Sequence, residues 1–400
     1  GLGWEMLRGV VAIDLDSSVV CMDKKGDVAM QECVYFAQLV SASGSIKHSG
    51  DEREGDEDIA GSGDDEVITA DLSQVPSKVV ALFIVATVAS ESHSFTDVKS
   101  ARLRIFEPRS GKEVCRFLPA AKGAHTAMLV ARIARHLGGW VMSTIGEMDT
   151  TARDFGSLMP ELRMYMGDLV PGIKVDQTER VAIMRKGGSI ALQHYVKGEE
   201  MPPMLVLGLS WDVTGGVNID LDASAILLDH NLLLLDLVFF QKLRSTDGSI
   251  QHGGDEREGD EKGDDEKIFI RLPLVSAPVA YIGFVINSYS GQELDDVKDA
   301  SCHLYDPSSM RDLAIFKMTN MAALDKHTAL VVGMLHRAQA GDWNFTIISE
   351  AAQGRVAQEN VATLHRCIRQ RGTTAPPAPK RLAPGAGTPM LANAAAAGLV

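Results

Sequence analysis

The densest concentration of chemically capable side chains lies in two acidic stretches. Between Asp51 and Glu66 there are nine acids and one base, Arg53; between Asp255 and Glu266 there are eight acids and two bases, Arg257 and Lys262. Their net charges of −8 and −6 equal the −14 carried by the whole 400-residue chain. The remainder is electrically balanced, which disfavours nucleic-acid phosphates and anionic membrane as partners of the charged segments and favours cations. Carboxylates packed this densely repel one another, so each stretch is either a fully solvated loop or one made compact by a bound cation.

Three features favour the cation. Glycines recur among the acids (Gly50, Gly55, Gly63; Gly254, Gly259, Gly263) and permit the sharp turns that fold oxygens around an ion. The cluster occurs twice in register. In both copies an Asp-Leu-Asp lies upstream, and alternation along a strand sends Asp14 and Asp16, or Asp220 and Asp222, to one side where they could close the site. Calcium matches best, because it takes six to eight hard oxygens in flexible geometry, whereas magnesium demands a strict octahedron and zinc prefers His or Cys. These are not EF-hands: Asp14 and Asp16 are followed by Ser18 and Val19, without the third ligand and the glycine of that loop.

The elements that would hold these loops are duplicated. Gly50 to Glu57 recurs as Gly254 to Glu261, Trp4 as Trp211, His48 as His252, Asp97-Val98-Lys99 as Asp296-Val297-Lys298, His125-Thr126-Ala127 as His327-Thr328-Ala329, and Trp140 as Trp343. Offsets between 199 and 207 over more than 130 positions mean two copies of one domain. Short apolar runs bounded by turn residues, such as Val217 to Leu228, Leu232 to Phe240, Val79 to Val88 and Val279 to Ile286, read as strands. The expected fold is all-β: two tandem antiparallel β-sandwiches, each with a short helix, joined by a helical linker. Leu129, Ile133 and Leu137 predict one helix over Thr126 to His136, with Thr328 to Arg337 as its equivalent.

Before Trp211 the second copy has strand-like segments at Val181 to Gln193 and Met204 to Gly208, and at an offset of 207 the first of these would fall before residue 1. The predicted organisation is a domain over 1–148 missing its first strand, a helical linker over 149–180 and a second domain over 181–350. A helix over 351–370 and a disordered Pro/Ala/Gly-rich tail over 371–400 follow.

Trp211-Asp212, Asp220-Leu221-Asp222, Val238-Phe239-Phe240, Asp247-Gly248-Ser249-Ile250-Gln251-His252-Gly253-Gly254-Asp255 and Gly263-Asp264-Asp265-Glu266 resemble the TerD tellurium-resistance and stress-protein family, and both copies carry the pattern. The resemblance implies a calcium-binding β-sandwich acting in tellurite resistance and general stress response. It also implies protein partners in larger membrane-associated assemblies. Matched to the family pattern, the ligands are Asp14, Asp16, Asp51, Asp64, Asp65 and Glu66 in copy one and Asp220, Asp222, Asp255, Asp264, Asp265 and Glu266 in copy two, with backbone oxygens of Gly55 and Gly259. Copy one has five residues, Asp58 to Ser62, where copy two has only Lys262, and Glu5 where copy two has Asp212, so the second site is expected to bind more tightly.

Other candidates carry less. His48 and His252 beside the acidic loops are read as turn-stabilising residues, and His125 and His327 as capping or packing residues. No P-loop, nucleophile elbow or Rossmann fingerprint supports catalysis, so a non-enzymatic protein is expected. The five cysteines, Cys21, Cys33, Cys115, Cys302 and Cys367, form no C-x-x-C pair. They point to a reducing, cytoplasmic compartment rather than a disulfide framework and disfavour detoxification by thiol chemistry. The most apolar run, Ala223 to Phe240, is broken by Asp229, His230 and Asp236, so no transmembrane segment is expected. The rival functional class is a small-ligand protein of the cyclic-nucleotide-binding kind, described for some relatives of the family.

Overall fold

The computed structural model describes residues 1–6, 12–55, 59, 63–119, 123–196, 200–213, 221–254, 264–289, 291, 293–294, 297–318, 324–338 and 341–372. The first domain contains β1 (Leu2–Glu5), β2 (Leu15–Asp23), β3 (Ile46–His48), β4 (Ile68–Ala70), β5 (Val79–Val88), β6 (Ser100–Phe106), β7 (Glu113–Phe117), β8 (Ala127–His136) and β9 (Gly139–Asp149). They form a four-stranded sheet in the order β2-β5-β8-β9, a three-stranded sheet β1-β6-β7, and the pair β3-β4. All of these pairings are antiparallel. Leu2, Trp4 and Leu103 from one sheet share a buried core with Leu15, Val88 and Val130 from the other.

A 3-10 turn, Phe155–Leu158, leads into the short helix α1 (Met159–Met164), with Pro160 in its first turn where a missing N–H costs nothing. Phe155, Leu158, Met159 and Leu162 pack into the first domain's core beside Val20, Met22 and Phe83.

The second domain is fuller. It contains β10 (Ala182–Ile183), β11 (Ser189–Ala191), β12 (Leu205–Val213), β13 (Leu221–Leu228), β14 (Leu234–Val238), β15 (Ile250–His252), β16 (Glu266–Ile270), β17 (Tyr281–Ser288), β18 (Val297–Asp306), β19 (Arg311–Lys317), β20 (Ala329–Arg337) and β21 (Trp343–Ala352). Two six-stranded sheets, β10-β19-β18-β12-β16-β15 and β11-β21-β20-β17-β13-β14, enclose a core that includes Leu207, Trp211, Leu227, Phe284, Leu304 and Phe345. The closing helix α2 (Val361–Gln370) covers the outer face of the second sheet through Leu364, Cys367 and Ile368. Gly283 makes room for it, since a Cβ there would stand 2.3 Å from Leu364 Cδ2.

The predicted helices over Thr126 to His136 and Thr328 to Arg337 are the strands β8 and β20. Both run through the middle of a sheet, and β20 is buried at every position but its last. Such a strand shows no apolar/polar alternation, and a helical period can be read into it by chance. Leu137, the third member of the supposed stripe, is 94% exposed and sits with Gly138 at positive φ in the turn joining β8 to β9. Helix is found at α1, inside the predicted linker over 149–180, and at α2, inside the predicted helix over 351–370. The predicted tail beyond residue 372 lies outside the described residues.

Candidate metal centre

Asp14 precedes β2 and Asp16 is its second residue. Two residues apart on an extended chain, they share one side, and the start of the acidic loop brings Asp51 to them. One carboxylate oxygen from each of Asp14, Asp16 and Asp51 lies within 4.8 Å of the other two. Calcium–oxygen bonds of about 2.3–2.6 Å placed across an ion span about 5 Å, so a cluster of this size fits one calcium ion. Asp14 Oδ1 is buried without a hydrogen-bond partner among the described residues. Burial pushes the Asp14 carboxyl up to about 6 and that of Asp16 well above the usual range, although Arg185 pulls both down. Three crowded, half-dehydrated carboxylates of this kind favour a cation in their midst.

A side chain supplies one. The guanidinium of Arg185, from the second domain, stands 3.2 Å from Asp51 Oδ1 and 3.6 Å from Asp14 Oδ2, and donates to Asp16 Oδ1. It also lies 3.5 Å from the centroid of the Phe36 ring. Sequence reasoning missed Arg185 because it falls outside the duplicated pattern and no local spacing marks it.

The histidines tie the loop at both ends. His48 Nδ1 accepts the Gly50 N–H at 3.1 Å, which assigns the ring proton to Nε2, 3.4 Å from Glu66 Oε2. In the second domain His252 Nδ1 accepts the Gly254 N–H at 3.2 Å and Nε2 stands 3.1 Å from Glu266 Oε2. Gly50 and Gly254, at φ +147° and +137°, take the positive-φ turn that this contact requires. Glu66 also accepts the N–H and hydroxyl of Ser17, at 2.8 and 2.7 Å, so it joins the loop's end to β2 beside Asp16.

In the Gly-Asp-Asp-Glu tetrads each acid has protein partners of its own. Asp64 is fully buried and paired with Arg104 at 2.6 Å and Arg102 at 3.0 Å, both on β6. Burial alone would raise its carboxyl, but these guanidinium groups hold it below its ordinary value. It is thus turned toward β6 and is not gathered with Asp14, Asp16 and Asp51. Asp264 is likewise taken by His303, at 2.8 Å, and by Tyr305, at 3.3 Å, both on β18. Burial opposes protonation of His303, yet Asp264 and Asp312 together push it up to about 9. Asp65 and Asp265 accept the backbone N–H groups of Trp4 and Trp211, at 2.7 and 2.9 Å. In β12 this N–H sits where the ladder slips register between Ser210 and Asp212, so the carboxylate satisfies a donor that the bulge exposes. Gly55, at φ +64°, lies against Trp4, whose Nε1 a Cβ there would approach to 2.3 Å.

In the second domain Asp222 is buried on β13 in the place that Asp16 holds on β2. Asp220, Asp255 and Gly259 lie outside the described residues. Cys21 and Cys33, scattered in sequence, meet in the first domain's core, where the Cys21 N–H lies 3.3 Å from Cys33 Sγ. Both are free, buried thiols, and the Cys33 hydrogen bond and burial drive the Cys21 thiol far above its ordinary value. That environment opposes thiolate formation.

Fold and site together define a tandem β-sandwich protein whose first domain gathers three carboxylates at the mouth of an acidic loop. The TerD domain matches twice, over residues 1–158 and 181–359, and the chain belongs to the TerD family. It is 32% identical to the tellurium resistance protein TerZ of Serratia marcescens over 188 residues, which cover 47% of this chain and 94% of that one. It is 35% identical to general stress protein 16U of Bacillus subtilis (strain 168) over 153 residues, covering 36% of this chain and 77% of the relative. A crystal structure of a homologue of telluride resistance protein (TerD) from Streptomyces coelicolor A3(2) aligns with TM-score 0.34 and 20% identity, covering 40% of this chain and 95% of that one. No helix among the described residues is long and apolar enough to cross a membrane.

Proposed function

We propose that this chain is a non-enzymatic calcium-binding protein of the cytoplasmic stress response, of the tellurium-resistance type, whose acidic loops present a calcium-dependent surface to protein partners in a membrane-associated assembly. The observation that carries this reading is the convergence of Asp14, Asp16 and Asp51 within 4.8 Å around a positive charge. A donor set made only of carboxylates is the chemistry of a hard divalent cation. A bound calcium would supply the charge that lets the loop oxygens pack together. Asp14, Asp16 and Asp51 would hold it in the first domain, and Asp222 with Asp220 and Asp255 in the second. His48 and His252 are engaged as turn ties rather than held ready as a base, which supports the non-enzymatic reading.

The test is thermal unfolding of the full chain in chelator and in millimolar calcium or magnesium. Calcium at about 100 times its dissociation constant adds about 2.7 kcal/mol to the domain that binds it. At about 2–4 °C per kcal/mol for a domain of this size, the expected rise in Tm is roughly 5–10 °C, with a smaller response to magnesium. No calcium-dependent shift at any concentration up to about 10 mM, roughly ten times the dissociation constant of the weakest calcium sites, would end the proposal.

A further inference from the structure

The residue that occupies the first domain's carboxylate cluster belongs to the second domain, and its backbone is fixed there. Arg185 follows β10, which pairs in parallel with β19. Met184 N–H donates to Ile315 O at 2.7 Å, and Gly187 N–H to Ile347 O at 3.0 Å, so the turn carrying Arg185 is bound to both sheets of its own domain. The Arg185 side chain reaches across to the first domain, whose core also takes in Ile183 of β10. It contacts the same three carboxylates that would ligate a cation, and its outer face is covered by Phe36.

We propose that Arg185 is a tethered competitor at the first domain's cation site, so that entry of a divalent cation there and seating of Arg185 exclude one another. This rests on the calcium reading above. Oxygens within 4.8 Å of one another leave room for one positive centre, and a divalent ion placed beside a guanidinium would face like-charge repulsion at contact distance. Arg185 neutralises one of the three carboxylates and Arg53, 2.9 Å from Asp51 Oδ2, a second, so one charge stays uncompensated, and a divalent ion in place of Arg185 supplies the one further positive charge that balances the cluster. The displaced arm uncovers Phe36 and breaks the ion pairs that join the domains, so cation occupancy is reported at the domain junction. The second domain is then the site that fills first, and the first domain responds only at higher calcium.

The experiment is calorimetric titration with calcium chloride on the full chain in three forms. Asp222→Asn reports the first site, Asp16→Asn reports the second, and Arg185→Gln combined with Asp222→Asn reports the first site without its competitor. If Arg185 holds the cluster about nine-tenths of the time, the apparent Kd of the first site is about tenfold weaker than its intrinsic value. Removing the guanidinium should therefore tighten that site about tenfold, within the 5–150-fold range typical of such coupling. Phe36→Leu, which loosens the arginine's seat and leaves every carboxylate in place, should tighten it in the same direction and serves if Arg185→Gln folds poorly. Unchanged or weaker first-site affinity in both variants overturns the proposal. So does a first site that binds no calcium in any form while the second site does, because there is then no cation for Arg185 to compete with. Absence of binding at both sites overturns the calcium reading itself.

Discussion

Asp64→Asn separates a calcium ligand from a structural counter-ion. Asp64 is fully buried, while Arg102 and Arg104 keep 29% and 17% of their side chains exposed. Removing one member of a buried ion pair costs about 3–5 kcal/mol when the orphaned charge has no access to water. Here both guanidinium groups retain some, and the asparagine oxygen can still accept a hydrogen bond, so the expected loss is about 2–4 kcal/mol. At about 2–4 °C per kcal/mol this lowers the first domain's transition by roughly 5–15 °C. Differential scanning calorimetry in chelator and in calcium is the assay. The loss should be equal in both conditions, with the calcium-induced rise intact, whereas Asp16→Asn should abolish the first domain's share of that rise. If Asp64→Asn leaves the chelator transition within about 1 °C of the parent and removes the calcium response, Asp64 is a ligand and the reasoning from its arginine partners is wrong.

Two further outcomes test other parts of the molecule. Leu364→Ala removes the side chain that α2 lays over Gly283, and a buried Leu→Ala change of this kind should cost about 2–4 kcal/mol in urea unfolding; a loss below about 0.5 kcal/mol would show that α2 is not packed on the sheet. Asp154 caps the turn before α1 by accepting the Ser157 N–H at 2.9 Å, and burial pushes its carboxyl from 3.8 to about 6. The folded chain therefore keeps a proton that the unfolded chain releases, so stability falls as pH rises between those values and the ionised carboxylate remains a cost above them. Asp154→Asn, which can cap equally well, should flatten that window and raise stability at pH 7 by on the order of 2 kcal/mol; an unchanged slope between pH 4 and 6 would refute the assignment.

The duplication and the β-rich class were legible because they are properties of the whole pattern: Trp4 and Trp211, or His48 and His252, recur in order whatever their individual roles. The helices within 149–180 and 351–370 were legible too, but the strands β8 and β20 were not. β8 packs both faces, Ala127 and Leu129 into one core and Met128 and Val130 into another, so its apolar run carries no period to distinguish strand from helix. Asp14 and Asp16 were legible as a pair because strand geometry alone sends them to one side. The partition within Gly63-Asp64-Asp65-Glu66 was not, since adjacent carboxylates look alike in sequence and are told apart only by what faces them: Arg102 and Arg104, the Trp4 N–H, and His48. Arg185 was illegible for the same reason at longer range, because 134 residues separate it from Asp51.

This partition changes what the acidic charge is for. In the first domain Asp64, Asp65 and Glu66 each have a fixed protein partner; in the second Asp265 keeps the tryptophan N–H and Glu266 the histidine, while His303 and Tyr305 hold Asp264 in place of Arg104 and Arg102, and Ala223 stands where Ser17 binds Glu66. A position that keeps its carboxylate while its partner changes from guanidinium to imidazole is held by the need to fasten the loop's end to the strand, not by the demands of one ion. On the calcium reading proposed above, the cation falls to the Asp-Leu-Asp strand end and the first acid of the loop, whose partners in this structure are Arg185 and Arg53. The loop's charge thus acts in two places: its final residues anchor the loop to the sandwich, and that anchoring brings Asp51 within reach of Asp14 and Asp16.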